Sequence, residues 1–279
     1  MRVLCVGDSM TIGVAGDHTW RYRMWQHLGR TLPPGAAHLV GPRSALHEGS
    51  QAYADPAFPP EARAHLAGWG EGWLHMAPAV GEAVAGCGAD TLLVSLGLID
   101  LGFYTDAAQT VRNVERFWRA ARAANPRVRG VLLPVVPNVR AAHDAEFAAE
   151  CARFNVLLGK TVAELSQPRS PLLLASAPQD WSVARDTYDG THPSVRGEHR
   201  IAAAFAGALH QAWSVGGPYE AHGAYGAPGA YEAHSTDETY GTYGDYGARH
   251  GGPRATERAG APVSASAPAS APAPAPAPA

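Results

Sequence analysis

A serine at position 9, and an aspartate three residues before a histidine at positions 189 and 192, are residue types that together move acyl groups. Ser9 follows the apolar run Arg2–Val6 and the pair Gly7-Asp8. That context places it at the end of a buried strand and the mouth of a helix, where a backbone N–H faces an electropositive helix end and can hold a developing oxyanion. Taken alone, Gly-Asp-Ser is also an ordinary helix cap. The second segment reads Asp186-Thr187-Tyr188-Asp189-Gly190-Thr191-His192-Pro193. An Asp-x-x-His spacing across a glycine turn brings the carboxylate to one ring nitrogen and leaves the other facing outward as a base. Asp186 competes for that orienting role at a less tight spacing. A nucleophile needs a base within reach, and the base needs an orienting group. Ser9, His192 and Asp189 supply all three.

The elements that must position them alternate. Arg2–Val6, Ala37–Val40, Thr91–Leu96, Arg129–Val135 and Pro171–Ala175 read as five short buried strands. Helical patterns cover Thr11–Leu32, Met76–Ala85, Ala107–Asn125, Glu146–Leu165 and Arg196–Trp213. In the first of these, Trp20, Met24, Leu28 and Leu32 recur every four residues. Unbroken apolar strands between helices indicate an α/β protein with a parallel sheet buried on both faces. Sites in such sheets lie beyond the carboxyl ends of the strands. The sequence therefore expects Ser9 and the Asp189–His192 loop on one edge.

Four short blocks occur in order: Gly7-Asp8-Ser9, Gly68-Trp69, Gly97-Leu98-Ile99-Asp100 and Asp189-Gly190-Thr191-His192-Pro193. Together they resemble the blocks of the GDSL, or SGNH, hydrolases, over about residues 1–213. The resemblance implies a flavodoxin-like, three-layer α/β/α sandwich with a five-stranded parallel sheet. It implies acyl transfer through an acyl-serine, with no cofactor and no metal. Carried over, Ser9 is the nucleophile, His192 the general base and Asp189 its orienter. The N–H of Gly68 joins that of Ser9 in the oxyanion hole, with Gly70 and Gly72 close enough to compete. Trp69 and Ile99 are candidates for lining the substrate pocket; the tryptophans of the 69–73 stretch would equally serve to cap the core. The chain departs from the pattern at Ile99, where the third block usually has an oxyanion-binding Asn. Losing one such donor typically costs about 10²–10³ in turnover. The leading expectation is hydrolysis of a small or medium ester. The alternatives are acyl transfer or cyclisation on a biosynthetic intermediate, and a non-catalytic binding module. No Gly-x-Ser-x-Gly elbow surrounds Ser9, which argues against the separate α/β-hydrolase fold.

Composition bounds the rest. With 22 basic and 25 acidic residues the net charge is −3, which excludes a strongly basic nucleic-acid binder. No apolar run approaches the ~18 residues that span a bilayer. The first six residues are too short for the apolar core of a signal peptide, so a cytoplasmic location is expected. Cys5, Cys87 and Cys151 are too few and too scattered for a disulfide framework, and the 13 histidines lack ligand spacing. All seven tryptophans precede residue 216, after which Val263 is the only branched aliphatic residue. The sequence therefore expects a catalytic domain over 1–215 and a disordered Gly/Tyr/Ala/Pro-rich tail over 216–279, with no partner indicated.

Overall fold

The computed structural model describes residues 1–221. Its centre is a parallel sheet of β1 (Arg2–Gly7), β2 (His38–Val40), β4 (Thr91–Ser95), β5 (Arg129–Leu133) and β6 (Leu172–Leu174), in the spatial order β2-β1-β4-β5-β6. Each strand coincides with an expected apolar run. A further two-residue strand, β3 (Leu66–Ala67), also pairs with β1. β2 pairs with residues 2–4 of β1 and β3 with residues 6–7, so β3 takes over the edge where β2 leaves it.

Helices cover both faces. α3 (Trp73–Cys87), α4 (Ala107–Ala124) and α6 (Ala145–Leu165) pack side by side, while α2 (Thr19–Thr31) pairs with α8 (Val195–Trp213). Trp20 of α2 meets Phe205 of α8 with ring centroids 4.8 Å apart, and Trp73 meets Phe117 edge-on at 5.1 Å. Gly130 in β5 leaves the space that Trp118 of α4 fills; a Cβ there would come within 2.1 Å of the indole. Three short α-helices also belong to the described body: α1 (Ser9–Ile12), α5 (Val139–His143) and α7 (Val183–Asp186).

Two boundaries differ from expectation. The helix expected over Thr11–Leu32 is split between α1 and α2. Gly13 (φ 75°) and Gly16 (φ 92°) adopt positive φ between them, as does Thr19 (φ 72°) at the first residue of α2, a conformation that interrupts a helix. Thr19 is held there by its N–H, which donates to Glu198 Oε1 at 2.8 Å. The packed body also extends past the expected limit at Val215. The Tyr219 hydroxyl lies 2.7 Å from His199 Nδ1, and its ring packs on the core and against His27 at 5.2 Å. The rest of the expected tail, residues 222–279, lies outside the described residues. Among the described residues, no helix is long and apolar enough to cross a membrane.

Candidate active site

Ser9 opens α1 at the carboxyl end of β1 and is 5% exposed. As the first helical residue its N–H has no intrahelical acceptor. Asp8 is the N-cap, its carboxylate accepting the Met10 N–H at 3.0 Å. Gly7 allows the tight passage from strand to helix, because a Cβ there would meet Thr11 Oγ1 at 1.9 Å and the Ser95 carbonyl at 2.9 Å. The far end of α1 is gripped by Arg21, which is fully buried. Its guanidinium donates to the carbonyls of Thr11 (2.8 Å), Ile12 (3.1 Å) and Arg63 (3.0 Å) and to the Tyr53 hydroxyl (3.2 Å). A cation at the carbonyl end of a helix is favourable, and here it also satisfies buried acceptors.

The Asp189–His192 loop closes on itself and on the start of α5. His192 Nδ1 lies 2.6 Å from Asp189 Oδ2, while the N–H groups of His192 (2.7 Å) and Thr191 (2.9 Å) donate to Asp189 Oδ1. Burial pushes the Asp189 carboxyl up, but the ring, its charge and the two N–H groups outweigh this and hold it below its ordinary value. The loop is fastened by Val139 N–H to the Gly190 carbonyl (2.7 Å) and by Asn138 Nδ2 to Thr191 Oγ1 (3.4 Å). Asp186, the competing acid, is fully buried and bound to Arg196 and Arg200, each at 3.2 Å, and to the Ser182 N–H at 2.7 Å. It secures the start of α8 and leaves Asp189 as the partner of the imidazole.

Ser9 and the imidazole come to the same edge. The His192 ring acts electrostatically on Asp8 beside Ser9 and on Asp17 in the loop after α1. Neither Ser9 Oγ nor His192 Nε2 has a protein hydrogen-bond partner among the described residues, so the serine–histidine bond is open in this structure. Such bonds often close only when substrate binds.

The glycine segment answers one expectation differently. The Gly68 N–H donates to the Gly7 carbonyl at 3.2 Å and is committed to the sheet edge. The Glu71 N–H donates to the Gly68 carbonyl at 3.2 Å, and Gly70 between them has φ 71°. This is the signature of a type II turn, which requires a glycine at its third position. The N–H groups of Trp69 and Gly70 have no partner among the described residues. Trp69, at the turn's corner, is half-buried.

The third block follows β4. Ile99 is half-buried and offers no donor from its side chain. Asp100 is fully buried and accepts the N–H groups of Trp73 (2.8 Å) and Leu74 (3.0 Å). Burial pushes its carboxyl up to about 6 against the pull of those donors. Asp100 therefore caps α3 in place of Gly72, whose missing side chain leaves room for the carboxylate. Burial raises the Cys5 thiol to about 12, which removes it as a rival nucleophile at neutral pH.

A residue with no sequence signal joins the site. His47 stacks on Trp69 at 4.2 Å and 23°, and Trp69 stacks on His192 at 4.7 Å and 25°. Tyr188 lies nearly parallel to His192 at 5.8 Å.

A serine at the mouth of the first strand and a carboxylate–imidazole pair before the last helix, on one edge of a parallel sheet, is the layout of a serine hydrolase. The chain is matched over residues 5–200 by the model of the GDSL-like lipase/acylhydrolase family, and it belongs to that family. It is thus a serine hydrolase of GDSL type acting on ester bonds. Similar solved structures include an acetyl esterase serine-to-alanine mutant with an acetate ion, at 21% identity and TM-score 0.63 over 76% of this chain and 97% of that one. A carbohydrate esterase family 3 protein from Talaromyces cellulolyticus matches at 22% identity and TM-score 0.63, over 76% and 97%. A family 3 carbohydrate esterase from Clostridium thermocellum matches at 16% identity and TM-score 0.58, over 75% and 94%. At these identities the likeness concerns the fold. No curated protein matches the chain.

Proposed function

We propose that this enzyme hydrolyses a small ester through an acyl-Ser9 intermediate, with His192 as general base and Asp189 as its orienter. His192 Nε2 takes the Ser9 proton as Oγ attacks the ester carbonyl. The tetrahedral oxyanion is held by the N–H of Ser9 and by the free N–H groups of the turn after β3, with Gly70 in the place first expected of Gly68. His192 then gives its proton to the leaving alcohol, and water repeats the sequence on the acyl-serine. The observation that carries the reading is the 2.6 Å Asp189–His192 bond on a loop whose imidazole acts on the residue next to Ser9. With Asp189 on Nδ1, the other nitrogen is left to work on the serine.

The test uses nitrophenyl esters from acetyl to decanoyl, with and without an added alcohol acceptor, together with a fluorophosphonate probe. Ser9→Ala is expected to lose probe labelling, and both Ser9→Ala and His192→Ala to lose nearly all turnover, with the double variant little worse. Water is expected as the main acceptor. Full turnover in Ser9→Ala would end the acyl-enzyme reading, and product going chiefly to the alcohol would make the enzyme a transferase.

A further inference from the structure

One hydrogen bond does not fix an imidazole. The Nδ1–Asp189 bond sets one point of the His192 ring, but the ring still turns about its side-chain torsion, which is broad for histidine. Something must hold its plane if Nε2 is to face Ser9. Among the described residues, the close ring faces are those of Trp69, at 4.7 Å and 25°, and of Tyr188, farther away at 5.8 Å and exposed.

Trp69 is itself held. Its backbone occupies the corner of the tight turn between Gly68 and Glu71, and its indole stacks on His47 at 4.2 Å. The His47 N–H donates to the Gly13 carbonyl at 2.9 Å, and Gly13 is the C-cap of the helix that begins with Ser9. A continuous line of contacts therefore runs from the end of the Ser9 helix to His47, to Trp69 and to His192.

Resting on the assignment of His192 as general base, we propose that Trp69 is a positioning residue that sets the plane of His192, and that His47 registers Trp69 to the nucleophile's helix. The arrangement also suits the charge that appears during the reaction. When His192 takes the serine proton, the indole face lies against a cation and attracts it. A second cation in the stack would oppose this. Burial holds His47 below the ordinary histidine value, with Glu48 pulling it up and His192 pushing it down. The other groups that act on this corner are Asp189 on the same loop, and Asp8 and Asp17 on either side of α1.

The experiment compares Trp69→Phe, Trp69→Leu, His47→Phe and His47→Ala with His192→Ala on nitrophenyl acetate, separating kcat from KM. Misplacing a reacting group by about 1 Å can cost about 100-fold. Trp69→Leu is expected to lower kcat by about 10- to 100-fold with KM changed less than about threefold, and Trp69→Phe to recover most of the loss. His47→Phe keeps a stacking ring and is expected near wild type, with His47→Ala lower in kcat. NMR of histidine-labelled protein supplies a readout independent of turnover: the ring-current shift of the His192 protons disappears in Trp69→Leu and persists in Trp69→Phe. An unchanged kcat in folded Trp69→Leu, or a rise in KM alone, overturns the proposal; the latter would make Trp69 a wall of the substrate pocket. Should Trp69→Leu fail to fold, His47→Ala decides: a kcat loss rescued by His47→Phe supports the proposal, and an unchanged kcat overturns it. Full activity in His192→Ala would instead remove the base assignment on which the proposal stands.

Discussion

Replacing Asp8 by Asn should change how stability depends on pH. Asp8 is 2% exposed at the cap of the Ser9 helix, and burial pushes its carboxyl from 3.8 to about 7. The Met10 N–H and His192 pull it down and Asp100 pushes it up, but burial dominates. The folded protein thus keeps a proton that the unfolded chain releases near pH 4. The stability this contributes is fully present below pH 3.8 and is lost as the pH rises through about 7. Asn retains an acceptor for the Met10 N–H and does not titrate. One pKa unit corresponds to 1.36 kcal/mol, so a shift of about three units amounts to about 4 kcal/mol above neutrality. Roughly 2–3 kcal/mol of that falls between pH 5 and pH 8. In a domain of this size 1 kcal/mol moves the thermal midpoint by about 2–4 °C. The midpoint of Asp8→Asn, relative to wild type, should therefore rise by about 5–10 °C between pH 5 and pH 8. Circular dichroism melts at four pH values measure it. Asp100 titrates in both proteins, so the difference between them isolates Asp8. Parallel pH profiles would show that the Asp8 carboxyl is not desolvated, and the argument would fail.

Arg21→Met should lower the unfolding free energy by about 3–5 kcal/mol, because the buried carbonyls of Thr11 and Ile12 and the half-buried one of Arg63 lose their donor at once. A denaturant titration reads this, and an unchanged midpoint would mean that the end of α1 needs no cation. Truncation after Val215 should melt a few degrees below truncation after Ala221, since only the shorter chain lacks the Tyr219–His199 contact; equal midpoints would show that contact to be idle.

The sheet was legible because its strands are unbroken apolar runs, a local property. Ser9, Asp189 and His192 were legible as candidates because they lie in short ordered blocks at strand ends. What stayed hidden depends on distant partners. The break between α1 and α2 rests on Thr19, whose backbone is held by Glu198 from the other end of the chain. β3 is two residues long, below what periodicity can register. The choice between Asp189 and Asp186 is made by Arg196 and Arg200. The commitment of the Gly68 N–H to Gly7 follows from the pairing of β3 with β1. His47 carries no motif, and only ring stacking brings it to the site.

The stretch from Gly41 to His65 leaves the edge of β1 where β2 ends and returns where β3 begins. Its two ends are clasped by reciprocal Arg43–His65 backbone hydrogen bonds of 3.1 and 2.8 Å. Inside it, Leu46, Tyr53, Phe58 and Ala62 gather with Tyr22 into a small core of their own. The segment is closed at its base by that clasp and tied to α2 through the Arg63 carbonyl and the Tyr53 hydroxyl, both of which accept from Arg21. The clasp holds its ends together, and loop closure grows only slowly more costly as residues are added. Because His47 rides on it, a graft between Gly41 and His65 would alter the surroundings of the imidazole while every strand of the sheet kept its register.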